Sequence, residues 1–577
     1  MSCSLLFLTA ADNCISPTLH PPCACFFYIS GRSKKTNSIE SLPFMPFHRF
    51  CLIALLIAPL AFAPPTQAQT PYFTLEIEEV AATNAPSIHS TAVAEYNGLW
   101  VFVTGRVDGL HVLFGGEAFP ADMSNNEIIV YDPDADQQWA ASLDELSDAV
   151  ADPLRTTNAQ HHQDGNTLYI LGGYGYSNAT GEKVTFGELT AIDLPGIISA
   201  VQNATPLSPH IRQIASDDRL KVTGGHLILF DGAYYLVAGN RFDGEYLAGF
   251  TQVYTEAVRE FEIDDDGSTL AITNYVETSD ADNLHRRDGN LSPVILDNGS
   301  EGFALFGGVF RTDANLPYRN PVYFDGSSMT ADTGFEAQFG HYTSPVIPLY
   351  DADPNAELMH SIFIGGMNQF YYDETDQQIK EDNLVPFVDD VTMITRNDSG
   401  TTTEMVLPIT LPGLLGTNAT FFLEPSLPQY DNGVIKLREL DGRTLLGRVL
   451  GGIESDAPNA GWLGGNTSAS DRMFEVYLTA HPVANEDETP STFQVLPAAP
   501  NPFREETHLN LRLDETQHLS VEVFDFLGRR VSTLHDGLVS AGSHSFVFRP
   551  QGLAGGVYIV RVVGKNGTST QRIAYAR

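Results

Sequence analysis

Leu168-Tyr-Ile-Leu-Gly-Gly173 is a run of apolar strand formers that ends in a pair of small residues, and the pattern recurs through most of the chain. It returns as Val101-Phe-Val-Thr-Gly105, Tyr235-Leu-Val-Ala-Gly239, Phe303-Ala-Leu-Phe-Gly-Gly308, Ile362-Phe-Ile-Gly-Gly366 and Arg448-Val-Leu-Gly-Gly452. The six copies stand roughly 60 to 85 residues apart, and such a period is the mark of a repeat architecture.

Each doublet sits in a larger cassette. A polar stretch, often with His, leads into an apolar strand. A turn such as Asp164-Gly-Asn166 follows, then the doublet strand, then after a loop a strand ending in Asp. Examples of this third strand are Ile128–Asp132, Leu189–Asp193 and Pro321–Asp325, with Val258–Ile263 running directly into Asp264. From Thr70 to about Ala480 the chain reads as short strands between Gly, Asn, Asp and Pro turns. Helical periodicity is confined to Leu143–Val150 and Leu194–Val201.

The cassette resembles the kelch repeat, in which a Gly-Gly doublet ends the second strand of a four-stranded propeller blade. The resemblance covers about 400 residues and implies six blades. The doublet is intact in four copies; Thr104 and Ala238 replace its first glycine in the other two. Small residues at these points let neighbouring sheets approach closely. An array of β-sandwiches with glycine at bulges is the other reading of the same pattern.

The chain has 577 residues, enough for more than one domain. Hydrophobic residues make up 43% of it, as in ordinary globular proteins. Its charge is lopsided: 32 basic against 72 acidic residues give −40, and lysine occurs seven times. Such a surface repels nucleic acid and anionic membranes and keeps the chain soluble.

Residues 1–44 carry no consistent pattern and read as a misassigned start or a disordered leader. Residues 45–68 read as a signal peptide. Met45-Pro-Phe-His-Arg-Phe is its basic opening, Cys51–Phe62 its apolar stretch, and Thr66-Gln-Ala68 its cleavage site. The apolar stretch is too short to span a membrane, and no other segment fits one. All five cysteines, at 3, 14, 23, 25 and 51, precede the expected cleavage, so the mature chain has no thiol or disulfide.

Residues 69–480 form the expected propeller and 481–495 an acidic, Pro-bearing linker. Residues 496–577 change texture: Pro500-Asn-Pro-Phe503 opens a compact series of alternating strands that suits a small Ig-like β-sandwich. This segment resembles the type A C-terminal sorting domain of the type IX secretion system. The resemblance rests on Pro500, Asn501, Pro502 and Phe503, on Gly528 in Asp525-Phe-Leu-Gly-Arg529, and on Gly556 and Tyr558 in the Gly-x-Tyr strand. It implies engagement with the type IX machinery and a secreted or cell-surface protein. A generic carbohydrate-binding module is the competing reading.

The whole is therefore expected to be all-β, a six-bladed kelch-like β-propeller followed by a small Ig-like β-sandwich, acting as a monomer. In a propeller the end of the second strand and the start of the first open on one face, which gathers two sets of residues. The starts supply His89, His161, Arg287 and His341. The segments after the doublets supply Arg106 and Asp108, Arg241 and Asp243, and Arg311 and Asp313, an Arg-x-Asp step in three of six copies. Arg binds carboxylate or phosphate, and Asp accepts sugar hydroxyls. The plainer reading is that each step closes a turn or an ion pair. Each His, likewise, more simply serves the backbone than a metal.

No cofactor is expected. The Asp-rich loops Asp132–Asp136, Asp264–Gly267 and Asp351–Asp353 invite calcium, but none completes a calcium loop with its terminal Glu. No nucleophile elbow, phosphate loop or His-Glu-x-x-His is present. Among kelch-like enzymes, the copper-radical oxidases require a tyrosine–cysteine crosslink that a mature chain without cysteine cannot form. A sialic-acid mutarotase-like activity would need only Arg, His and Glu in the channel. Two functions stay open: a non-enzymatic binder of a glycan or protein at the cell surface, and a hydrolase, lyase or epimerase acting on anionic sugars in the central channel.

Overall fold

The computed structural model describes residues 73–112, 117–246, 252–354, 356–373, 375, 378–480, 493–496, 498–501, 503–524, 530–553, 556–565 and 567–575. The leader, the signal peptide with its cysteines, most of the linker, and Pro502 and Gly528 lie outside the described residues.

The chain is all-β and β-propeller-like. Its repeating unit is a four-stranded antiparallel meander, clear in the first sheet: Ala92–Tyr96, Leu99–Val103, Glu127–Asp132 and Gln137–Ser142. Sheets two to five begin at Gln160, His226, Asn290 and Val346 and follow the same order. The fifth adds Ile435–Lys436 on its inner edge.

The sixth sheet runs Leu414–Leu423, Arg443–Ser455 and Met473–Ala480, and its outer strand comes from the other end of the chain. Phe73–Val80 pairs antiparallel with it, Phe73 opposite Ala480 and Val80 opposite Met473. This return of the first strand to the last sheet staples the two ends of the array together.

Apolar cores lie between consecutive sheets. Val101 and Val130 of the first meet Leu168 and Ile192 of the second. At the far end of the series Phe422, Leu450 and Met473 of the sixth meet Trp100 and Phe102 of the first. The Trp100 ring stacks on Phe422 at 3.8 Å between centroids. The sheets thus pack face to face in a closed circle.

The doublets make that packing possible. At Gly172-Gly173 both residues have positive φ, 68° and 85°, and a Cβ on Gly172 would lie 2.1 Å from the Val222 carbonyl of the next sheet. Every one of the six doublets adopts this conformation, including Thr104 (63°) and Ala238 (54°). The amides then reach across: Gly105 N donates to Thr156 O at 2.7 Å, Gly173 N to Val222 O at 2.8 Å and Gly452 N to Ile88 O at 3.0 Å.

The helical expectations hold unevenly. Leu194–Asn203 is an α-helix with Asp193 as its N-cap, accepting from Gly196 N at 3.1 Å. The stretch after Leu143 breaks into short turns, Leu143–Glu145, Asp148–Ala151 and Asp152–Arg155.

In the C-terminal segment two antiparallel sheets share one core. One holds Phe493–Val495, Thr507–Leu513 and Gly542–Phe548; the other holds Arg530–Val539, Gln517–Phe524, Gly556–Gly564 and Gly567–Tyr575. Phe503 is 2% exposed in that core, its ring 5.9 Å from Phe548 and 5.6 Å from Tyr575. Tyr558 is buried there too, and Thr507 Oγ1 donates to the Pro500 carbonyl at 2.7 Å.

Candidate functional site

Just before the inner strand of the first five sheets, and within that of the sixth, the backbone makes a left-handed step, at Ser90, Asn158, Gly224, Asp288, Thr343 and Asn418, with φ between 50° and 65°. Backbone hydrogen bonds link these residues from sheet to sheet: Asn158 N–H donates to Ser90 O, Gly224 N–H to Asn158 O, Asp288 N–H to Gly224 O and Asn418 N–H to Thr343 O. They form a collar around the axis.

The residue preceding each collar position pairs with the one following its doublet or with its register equivalent. The pairs are His89 with Arg106, Thr157 with Tyr174, Thr223 with Asn240, Arg287 with Val309, Tyr342 with Met367 and Thr417 with Ile453. The repeat thus delivers a ring of backbone-paired residues to one mouth, where all but Val309 line the cavity.

A cavity of about 80 Å³ opens there. Below the collar, the inner strands enclose a channel of about 930 Å³. Ser90, Asn158, Gly224, Asp288 and Asn418 line both.

Aromatic rings from the segments after the doublets wall the mouth cavity. Phe119 packs against Tyr174 and Tyr246, each at 5.4 Å, and His111 lies 4.9 Å from both Phe119 and Tyr246. Burial pushes the His111 imidazole down to about 4. Lys183 ties these segments together from outside: its side chain is 3% exposed and bonds Glu117 on one side and Glu245, at 3.0 Å, on the other.

The charges at the mouth are spent on one another. Arg106, 2% exposed, donates through Nε to Asp108 Oδ1 at 2.8 Å and through Nη2 to Oδ2 at 2.5 Å. Burial opposes ionisation of Asp108, but His89 and Arg106 beside it hold its carboxyl below the ordinary value. His89 is pushed down by burial, against the pull of Asp108. Arg287 bonds Asp288 and donates through Nη2 to the Tyr246 hydroxyl at 3.3 Å. Burial works against its charge, yet Asp288 outweighs burial and raises it well above the usual value. Asp288 also accepts from Asn158 Nδ2 at 2.8 Å.

The expected site residues divide. His89, Arg106 and Arg287 line the mouth cavity, with Asp108 against them. Arg241 and Arg311 do not line it: Arg241 Nε donates to Asp243 Oδ2 at 2.8 Å and Arg311 Nε to Asp313 Oδ1 at 3.0 Å, at half-exposed positions. The cause is register. Arg106 is the first residue after its doublet, Arg241 the second and Arg311 the third. His341 lies between sheets, stacked on Phe363 at 3.9 Å and bonded through Nε2 to Glu404 at 2.9 Å; Tyr342 takes the mouth position. His161 lines the channel with His162 and His226, and burial pushes all three down to about 4.

Sequence reasoning did not single out Thr417, Asn240, Phe119 and Tyr246. A signal was present: Thr157, Thr223 and Thr417 recur at one register, before the left-handed collar residue.

The aspartate loops use their oxygens locally. Asp132 Oδ1 accepts from Asp134 N and Ala135 N, Asp266 Oδ1 from Ser268 N and Thr269 N, and Asp351 and Asp353 both bond Arg438. Among the described residues no three His, Cys, Asp or Glu side chains converge as a metal site.

Residues 498–575 match the family model of the secretion system C-terminal sorting domain. That domain implies engagement with the type IX secretion machinery and export to the cell surface or medium. Among the described residues no helix is long and apolar enough to cross a membrane. No curated protein matches the chain. Among solved structures, that of YjhT matches at 12% identity with a TM-score of 0.37, covering 67% of this chain and 93% of the other. A fungal alcohol oxidase of the AA5 family, solved with copper, matches at 9% identity with a TM-score of 0.34, covering 87% and 99%. At these scores neither likeness bears on what this chain binds.

Proposed function

We propose that the chain is an exported, six-bladed kelch-like β-propeller that binds a glycan at the mouth of its axis. A signal peptide at 45–68 starts its export, and an Ig-like C-terminal sandwich completes it through type IX secretion. The observation that carries the binding reading is the mouth cavity itself. Its walls are aromatic, and a few polar side chains converge in it from several sheets, the usual make-up of a small-molecule site.

Closed ion pairs favour binding over catalysis. All three Arg-x-Asp steps are satisfied internally, and Arg287 is engaged by Asp288, so none presents a free guanidinium to a developing negative charge. The gathering of His89, Arg106 and Arg287 in one cavity is what the enzymatic alternative, turnover of anionic sugars, draws on.

A thermal-shift screen of the full chain against sugars, polysaccharide fragments and peptides tests the reading. Stabilisation by a sugar, lost on filling the cavity by Asn240→Trp, is expected. Stabilisation by peptides alone would replace the glycan with a protein partner, and release of product from an anionic sugar would replace binding with catalysis.

A further inference from the structure

We infer that the mouth cavity takes one neutral sugar ring, either free or as the terminal residue of a glycan chain. The inference rests on the glycan reading above and goes further, to charge, size and position in the chain.

Arg106 is held by two hydrogen bonds to Asp108, and Arg287 by one to Asp288, which Asn158 also bonds. An anionic ligand would have to displace a carboxylate from a buried guanidinium. A cationic one would have to displace the guanidinium.

Among the described residues, three polar atoms in the lining are left without a hydrogen bond: His89 Nε2, Asn240 Oδ1 and Thr417 Oγ1. Their residues are 4%, 3% and 2% exposed, so bulk water does not serve them. His89 Nε2 stands 3.8 Å from Asp108 Oδ1, beyond hydrogen-bond reach. The three come from the first, third and sixth sheets and line one cavity. One is an amide acceptor, one an imidazole nitrogen and one a hydroxyl. A ligand hydroxyl can donate or accept and so answers each of them, and hydroxyls spread around one ring suit this arrangement.

Size limits the ligand to one ring. A water needs about 10–15 Å³ of such space, so the cavity of about 80 Å³ has room for roughly five to eight waters. Phe119, Tyr174, Phe242 and Tyr246 offer aromatic surface to the apolar face of a sugar. A second ring would have to lie outside the cavity, which makes the recognised residue terminal.

Isothermal titration of the full chain tests this. The probes are glucose, galactose and mannose, the uronic acids of the first two, glucosamine, and neutral oligosaccharides ending in each hexose. Thr417→Val and Asn240→Leu remove one orphaned atom each at nearly constant volume, and circular dichroism confirms that they fold. A neutral hexose should bind, with its charged counterparts at least about tenfold weaker, and each variant should weaken it about tenfold. Equal affinity for hexose and oligosaccharide identifies a free sugar as the ligand; a tighter oligosaccharide identifies a chain end. Preferred binding of a uronic acid or of glucosamine overturns the neutral-ring inference and leaves glycan binding standing. Glycan binding that both variants retain overturns the cavity as its place. Binding of no sugar overturns both the inference and the reading beneath it.

Discussion

Asn158 Nδ2 donates to Asp288 Oδ1 at 2.8 Å, joining residues 130 positions apart over the top of Gly224. The carboxylate belongs to the fourth sheet and the amide to the second; the third yields the space between them because its collar residue has no side chain. A Cβ on Gly224 would stand 2.5 Å from Asp288 Oδ1, at a φ of 65°. Gly224→Ala is therefore expected to cost about 2–4 kcal/mol, combining backbone strain with displacement of the carboxylate. Gly98→Ala has similar strain (φ 79°) and nothing within 4 Å of its Cβ, so it should cost only about 1 kcal/mol. Urea denaturation of the two variants separates the terms.

The three Arg-x-Asp steps should respond unequally to mutation. Arg106 is almost wholly buried while Asp108 keeps part of its surface in water, 3% and 22% exposed. Arg106→Ala should then cost about 2–3 kcal/mol, somewhat less than breaking a fully buried pair. Arg311→Ala removes a pair that water already screens and should leave the denaturation midpoint unchanged. Equal losses would contradict the register argument.

Acid sensitivity follows from buried imidazoles. His360 is 3% exposed, shares a hydrogen bond with Thr395 at 2.8 Å, and is pushed by burial from 6.5 down to about 4. The unfolded chain then holds the extra proton between those values, so stability is full above about 6.5 and falls as the pH drops to about 4. The loss is at most about 1.4 kcal/mol per pH unit for each such group. His360→Leu should flatten the dependence of the urea midpoint on pH across that window.

Lys183 is the tie between three segments that roof the mouth. Lys183→Met keeps the length of the side chain and removes both bonds, to Glu117 and Glu245. Faster amide exchange is expected at Gly244, whose N–H donates to the Lys183 carbonyl at 2.8 Å, with the cores between sheets unaffected.

In the sorting domain, Phe503→Ala removes a ring that is 2% exposed and should cost about 3–5 kcal/mol. In a type IX-competent host the variant should accumulate inside the cell, and immunoblotting of medium and cell fractions checks this.

The doublets were legible in the sequence because their conformation demands small residues, and even Thr104 and Ala238 comply with positive φ. The pairing of Phe73–Val80 with the last sheet was not. Its residues Glu76, Glu78 and Glu79 give it a polar texture, and its partner lies about 400 residues away. At the mouth, the sequence reading follows charge, and of the residues it picks out Arg106, His89 and Arg287 line the cavity. It counted Arg241 and Arg311 as their equivalents because a shift of one or two residues after the doublet changes nothing in the motif and everything in where the side chain goes. In the fifth sheet the same one-residue difference puts Tyr342 rather than His341 at the mouth. Thr417 and Asn240 carry no charge, and beyond the threonine that recurs at the Thr417 register nothing in the sequence marks them; the fold gathers them in one cavity with His89.

Saturation-transfer difference NMR on the full chain, with a neutral oligosaccharide as probe, tests the central claim most directly. Saturation concentrated on the ring protons of one terminal sugar, and lost with Thr417→Val, is the predicted result. Saturation spread evenly along the oligosaccharide, or unchanged in the variant, would contradict a closed site at the mouth of the axis.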